Sequence, residues 1–157
     1  MPIVEEFIAD FGVIGNHGST LFVRTDLDAP RRKVIAIDPL LRIGRAGWKT
    51  VVPEAQHPLE EAAAAGGKIV AGYLVDVTSR VEVYSLDGAK EGELALPGVG
   101  TARGLSGRED GDELFYQFTS QLTPATVYRY DLKRGKSKMA VGKNLLEYLR
   151  LFGRARG

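Results

Sequence analysis

One strand-and-turn pattern recurs three times along the chain, and its spacing limits the fold more than any other feature. Val34 of KVIAID, Val81 of RVEVYSLDG and Val127 of TVYRYDLKRG lie 47 and 46 residues apart. Leu21, Ile69 and Leu114 lie 48 and 45 apart. Each copy holds short β-prone segments divided by turn signals. A period in the forties with four strands per copy is the pattern of β-propeller blades. The expected fold is therefore all-β: about three consecutive four-stranded β-propeller blades, with a short C-terminal helix. The blades are expected at about 10–54, 58–98 and 100–141, and a basic tail at 142–157. Twelve short strands would also serve a rearranged β-sandwich.

The third copy is the clearest. Leu114–Thr119 and Ala125–Leu132 are rich in aromatic and β-branched residues, which suit a half-buried pleated surface. Leu122-Thr123-Pro124 parts them, because proline cannot donate to a ladder. Thr101–Ser106 precedes this hairpin, with a polar turn at Gly107–Gly111, and Lys136–Val141 follows it as the last strand. In the first copy, Phe11–Ile14 runs into a turn at Gly15-Asn16-His17-Gly18. Strands follow at Thr20–Thr25, Lys33–Asp38 and Lys49–Val52. In the second, Leu59–Ala65 leads into Gly66-Gly67. Strands are expected at Lys68–Val75, Arg80–Leu86 and Glu91–Leu96, with a strong turn at Asp87-Gly88.

Each blade buries its faces only against neighbouring blades. Propellers have about four to eight of them. Three blades alone would leave two apolar faces bare, of a kind monomers avoid. Either copies of the chain associate through those faces, or the chain is a piece of something longer.

Composition narrows the function. The 157 residues contain no cysteine, so a disulfide framework and a thiol nucleophile are both excluded. No apolar run reaches the ~18 residues of a membrane span. The acidic start MPIVEEFIADF lacks the basic region of a secretory signal, so a cytoplasmic setting is expected. Net charge is +1, which argues against nucleic acid as a partner. That charge is unevenly spread. Residues 1–132 hold 13 basic and 19 acidic side chains, whereas residues 133–157 hold 8 and 1. In this basic tail Asn144 and Glu147 form a capping-box variant. Leu145, Leu149 and Phe152 share one helical face, Tyr148 and Leu151 widen it, and Gly153 is a stop. The expectation is a short helix packing over an open blade face.

No residue pattern carries catalysis. Gly104-Leu105-Ser106-Gly107 departs from the G-x-S-x-G spacing of a nucleophile elbow and reads as a blade turn. His17 in a Gly-rich turn and His57 before Pro58 are too isolated for a base or a metal site. Glu109, Asp110, Asp112 and Glu113 lack the spacing of a calcium loop and read as a solvated acidic turn. Gly98-Val99-Gly100 opens no helix and so is not a phosphate cradle. Arg31-Arg32-Lys33, with Arg42 and Arg45, forms a loose basic patch around Trp48 that reads as a solvated loop face, and Trp48 is expected to pack at a blade edge. Catalytic, cofactor and metal residues are all expected to be none.

Six stretches in order resemble the later propeller blades of the prolyl oligopeptidase family of serine peptidases. They are IGNHGSTLFVRTDLDAPRRKVIAID, WKTVVPEA, YLVDVTSRVEVYSLDG, LPGVGT, LSGREDGDELFYQFTS and LTPATVYRYDL. The resemblance covers Phe11 to Met139. It implies a seven-bladed propeller over an α/β-hydrolase catalytic domain that cleaves short peptides after proline. It also implies that the propeller keeps folded proteins from the active site. The family's chemistry uses Ser as nucleophile, His as base and Asp as orienter, and none of the three is expected among these residues. After Met139 the run AVGKNLLEYLRLFGRARG does not resemble the family's continuation. A truncated, frame-shifted or excised product would read this way.

Two functions follow. The chain is a substrate-gating propeller piece whose partner is the family's catalytic domain, and inactive alone. Alternatively it is a non-catalytic binding or assembly module completed by self-association through open blade faces. Neither involves nucleic acid, a membrane or a cofactor.

Overall fold

The computed structural model describes residues 9–40, 47–122, 124–140 and 150. The first sheet contains β1 (Phe11–His17), β2 (Thr20–Thr25), β3 (Lys33–Ile37) and β4 (Lys49–Val52). The second contains β5 (Leu59–Ala65), β6 (Lys68–Val75), β7 (Thr78–Ser85) and β8 (Lys90–Leu94). The third contains β9 (Thr101–Gly107), β10 (Glu113–Thr119), β11 (Thr126–Asp131) and β12 (Lys136–Met139). Within each sheet the strands lie in chain order and every pair is antiparallel. The repeat positions fall on equivalent strands: Leu21, Ile69 and Leu114 on the second of each sheet, Val34, Val81 and Val127 on the third. The all-β reading with three four-stranded units is what the chain forms. The expected C-terminal helix lies outside the described residues, as do Arg42 and Arg45.

An even-stranded meander enters and leaves its sheet at the same end. We call this the linker end; it also carries the β2–β3, β6–β7 and β10–β11 connections. The hairpin end carries the turns after β1, β5 and β9 and those before β4, β8 and β12.

Two apolar layers hold the sheets together. Phe22, Val34, Val52, Leu59, Ile69 and Tyr73 pack between the first and second sheets. Val70, Val81, Leu94, Leu105, Leu114, Tyr116 and Phe118 pack between the second and third. Alternating side chains serve opposite faces of a strand. β6 is apolar on both, with Ile69, Val70 and Ala71 fully buried, because it is the second strand of the middle blade. Tyr116 stacks on Tyr128 with ring centroids 5.6 Å apart.

The two outer faces are buried at their centres. Val23, Ile35 and Ile37 on the far face of the first sheet are each 3% exposed, flanked by Phe11, Leu21 and Trp48. Phe115 alternates with the inward-facing Leu114 and Tyr116 and is 1% exposed. Trp48 sits edge-on to Phe11, with centroids 6.0 Å apart.

Several local expectations need correction. β1 continues through Gly15, Asn16 and His17, and its turn is Gly18-Ser19. Gly104 to Gly107 is strand, not turn. Tyr84 is buried on the face of β7 opposite Val81, because that strand packs on both sides.

Candidate functional site

The three sheets meet along their first strands, with β5 lying between β1 and β9. These strands are built from small residues because their backbones come close. A Cβ at Gly15 would lie 2.6 Å from the Ala64 Cβ, and one at Gly107 would lie 2.6 Å from the Ala65 Cβ. Real Cβ atoms do not approach so closely. This explains Ala62–Ala65, a run of four residues with little intrinsic strand preference. Their strand is imposed by the neighbours that need the space.

The ladder between first and second strand slips once in each sheet: at Val13/Gly15, at Leu59/Glu61 and opposite Phe115/Gln117. Bulges re-aim side chains. Between the three strands lies a groove of about 210 Å³. It is lined by Val13 and Ile14 of β1, Ala62 to Ala64 of β5, and Leu105 to Gly107 of β9. Its lining is aliphatic side chains, backbone and the Ser106 hydroxyl, which suits passage or shape selection and includes no titratable side chain.

Glu61 directly precedes the groove's Ala62, and sequence reading missed it. The Gly104 amide donates to both Glu61 carboxylate oxygens at 3.0 Å. Gly104 has φ +67°, a left-handed conformation that glycine accepts readily. Burial pushes the Glu61 carboxyl up from its ordinary range; the Gly104 and Leu105 amides, Arg103 and Arg24 pull it back in part. The Glu-Glu-Ala-Ala-Ala-Ala run holds a signal only in hindsight, as a charge at the start of a small-residue strand.

A second ring of contacts closes the seam between the first and second blades. Arg24 Nη1 donates to the Glu60 carbonyl, and the Leu59 amide donates to the Arg31 carbonyl at 2.8 Å. Arg32 Nη1 reaches the Leu59 carbonyl at 3.5 Å. The basic patch read as a solvated face is thus partly structural. Tyr84 donates to Glu82 Oε1 at 2.6 Å, and burial first, then that bond, drives its hydroxyl pKa up.

The other sequence candidates are placed separately. His17 Nδ1 lies 2.6 Å from Glu109 Oε1, joining the first blade to the third at the hairpin end. The Ser106 hydroxyl donates to the Gly104 carbonyl at 3.3 Å, so His17 and Ser106 form no nucleophile–base pair. His57 lies in the linker between β4 and β5. Asp112 pairs with Lys133 at 3.4 Å and Glu113 with Arg129 at 3.2 Å. Gly100 packs its backbone on the Thr119 carbonyl, where a Cβ would lie only 2.3 Å away. Among the described residues no three His, Asp or Glu side chains are grouped to hold a metal ion.

Comparison with known proteins agrees with this architecture. Residues 1–142 match the family model for the prolyl oligopeptidase N-terminal β-propeller domain. The chain is 32% identical over 139 residues to prolyl endopeptidase of Elizabethkingia miricola, covering 88% of this chain and 19% of that enzyme. It is 34% identical over 131 residues to the dual function macrocyclase-peptidase POPB of Amanita bisporigera, covering 82% and 18%. A solved prolyl endopeptidase structure superposes with TM-score 0.80 at 37% identity, covering 88% of this chain and 20% of that one. Apo prolyl oligopeptidase B from Galerina marginata superposes with TM-score 0.76 at 30% identity, covering 87% and 20%. The chain therefore spans about a fifth of the length of these relatives. Its three blades, its order of strands and its matched residues 1–142 make it a member of the prolyl oligopeptidase family, within that family's N-terminal β-propeller domain.

Proposed function

We propose that this chain serves as the substrate-gating part of a prolyl-oligopeptidase-type enzyme and carries none of its chemistry. The observation that carries this reading is the groove between β1, β5 and β9, walled by alanine, glycine and valine rather than by titratable groups. A wall of that kind selects by width. The catalytic partner would be the family's hydrolase domain, the substrates short proline-containing peptides, and the setting cytoplasmic. The 157-residue chain alone then leaves a short chromogenic prolyl peptide intact. Cleavage abolished by a serine-directed inhibitor would sink the proposal.

Self-association is the second reading. Three blades fall short of a ring, which another copy of the chain would help to complete. Light scattering after size exclusion separates the two: a monodisperse dimer favours assembly, and a monomer favours the gating piece.

A further inference from the structure

The outer face of the third sheet is covered, although the described residues include no fourth sheet to lie on it. Leu114, Tyr116 and Phe118 point toward the second blade. Phe115 therefore points the other way along β10, and yet it is 1% exposed. Phe115 stands opposite Arg129 of β11, and Val127 comes two residues earlier on the same face. The Ala140 amide donates to the Val127 carbonyl at 2.8 Å, one step beyond the Tyr128–Met139 pair, which sets Ala140 on this face too. Ala140 is 6% exposed, at the open edge of an outermost strand. Phe115, Val127 and Ala140 thus form a small apolar spot, bordered by the Glu113–Arg129 ion pair, and it is shut off from water.

Connectivity and sequence name the occupant. Residues 1–8 run into the first sheet and 41–46 join two of its strands, two blades away. Residues 141–157 leave from Ala140 itself. Strand β12 is two places from β10 in the sheet. That is about 10 Å at the usual strand spacing, within reach of the first residues of the tail. The family match ends at residue 142, so 143–157 lie outside the matched segment. Leu145, Leu149 and Phe152 share one face of a helix, with Tyr148 beside them. Arg150, the one described residue of the tail, is helical and exposed. At about 100° per residue it stands about 130° round from the middle of the apolar stripe. An outward Arg150 therefore turns the stripe toward the protein. A helix of about two turns persists only when docked. We propose that the tail, residues 142–157, lays Leu145, Leu149 and Phe152 on the Phe115, Val127 and Ala140 spot. It takes the place on the third blade where a following blade would pack. The proposal does not depend on the gating reading.

The test is Tyr148→p-benzoylphenylalanine in the 157-residue chain, which exchanges one aromatic ring for a photoreactive one beside the stripe. Irradiation should join position 148 to a residue between Glu113 and Asp131 of the same chain, read by mass spectrometry of the digest. A cross-link to the first or second sheet, a cross-link between chains, or none overturns the inference and leaves the gating reading standing. The triple variant L145D/L149D/F152D gives a second reading by amide hydrogen exchange. Amides of β10 and β11 should exchange at least ~10-fold faster than in the parent, about 1.4 kcal/mol, with β2 and β3 unchanged. Unchanged exchange, or equal acceleration in all three sheets, overturns the inference. Should the triple variant not fold, the cross-link alone decides.

Discussion

The Gly104 amide sits 3.0 Å from each carboxylate oxygen of Glu61, so a single acid ties the first strand of the second blade to that of the third. Both residues lie where their strands depart from regular pairing. The two bulges face each other across the seam and form the tie.

That tie makes stability depend on pH in a defined direction. The folded Glu61 pKa is raised above its ordinary 4.5, chiefly by burial. The folded state therefore binds its proton more tightly than the unfolded state does. The corresponding stability is present below about pH 4.5 and is lost as pH rises through the folded value. Glu61→Gln keeps an acceptor and removes the charge, so its urea midpoint should fall less between pH 4 and 7 than that of the parent. Glu61→Ala strands the Gly104 amide and should cost about 1–3 kcal/mol. An equal pH slope in parent and Gln variant would refute the assignment.

Gly107 and Ala65 test the close approach of the first strands. A Cβ at Gly107 would also meet the Glu113 carbonyl at 2.7 Å, so Gly107→Ala should destabilise by about 1–3 kcal/mol. Ala65→Gly in the same chain should recover part of that loss. A double-mutant cycle in urea reads the coupling, and strict additivity would mean the two strands do not touch there.

Tyr116 is fully buried between the second and third blades, and its hydroxyl lies 2.9 Å from Ser137 Oγ. Tyr116→Phe should cost about 0.5–1.5 kcal/mol through that bond. Tyr116→Ala should cost about 3–5 kcal/mol through the cavity it leaves. Near-equal losses for the two variants would show that the ring is not part of the seam.

The outer faces give a fourth expectation. Val23, Ile35 and Ile37 are already covered in a single chain, so the chain should sediment as a monomer at micromolar concentration. Ile35→Asp should then unfold it rather than dissociate it. A dimer converted to a folded monomer by Ile35→Asp would favour self-association.

Strand identity and the three-fold repeat were legible in the residues themselves. Alternating Val, Ile, Tyr and Phe between glycine turns is a local code, and a strand formed from it needs only neighbours of the same kind. The fourfold count per unit and the all-β class follow from that code. What it leaves open is how closely one blade approaches the next. Gly15 reads as a turn residue until Ala64 is seen to need its space. Gly104 to Gly107 reads as a turn until β10 pairs with it. Arg32 reads as solvated until the Leu59 carbonyl is found beside it. Glu61 draws no notice in the sequence until a bulge aims it at β9. Each of these depends on a partner tens of residues away, and local sequence pattern does not encode such separations. The sequence by itself determined the strands and their period. Tertiary packing alone decided which small residues line the groove and which acid closes the seam.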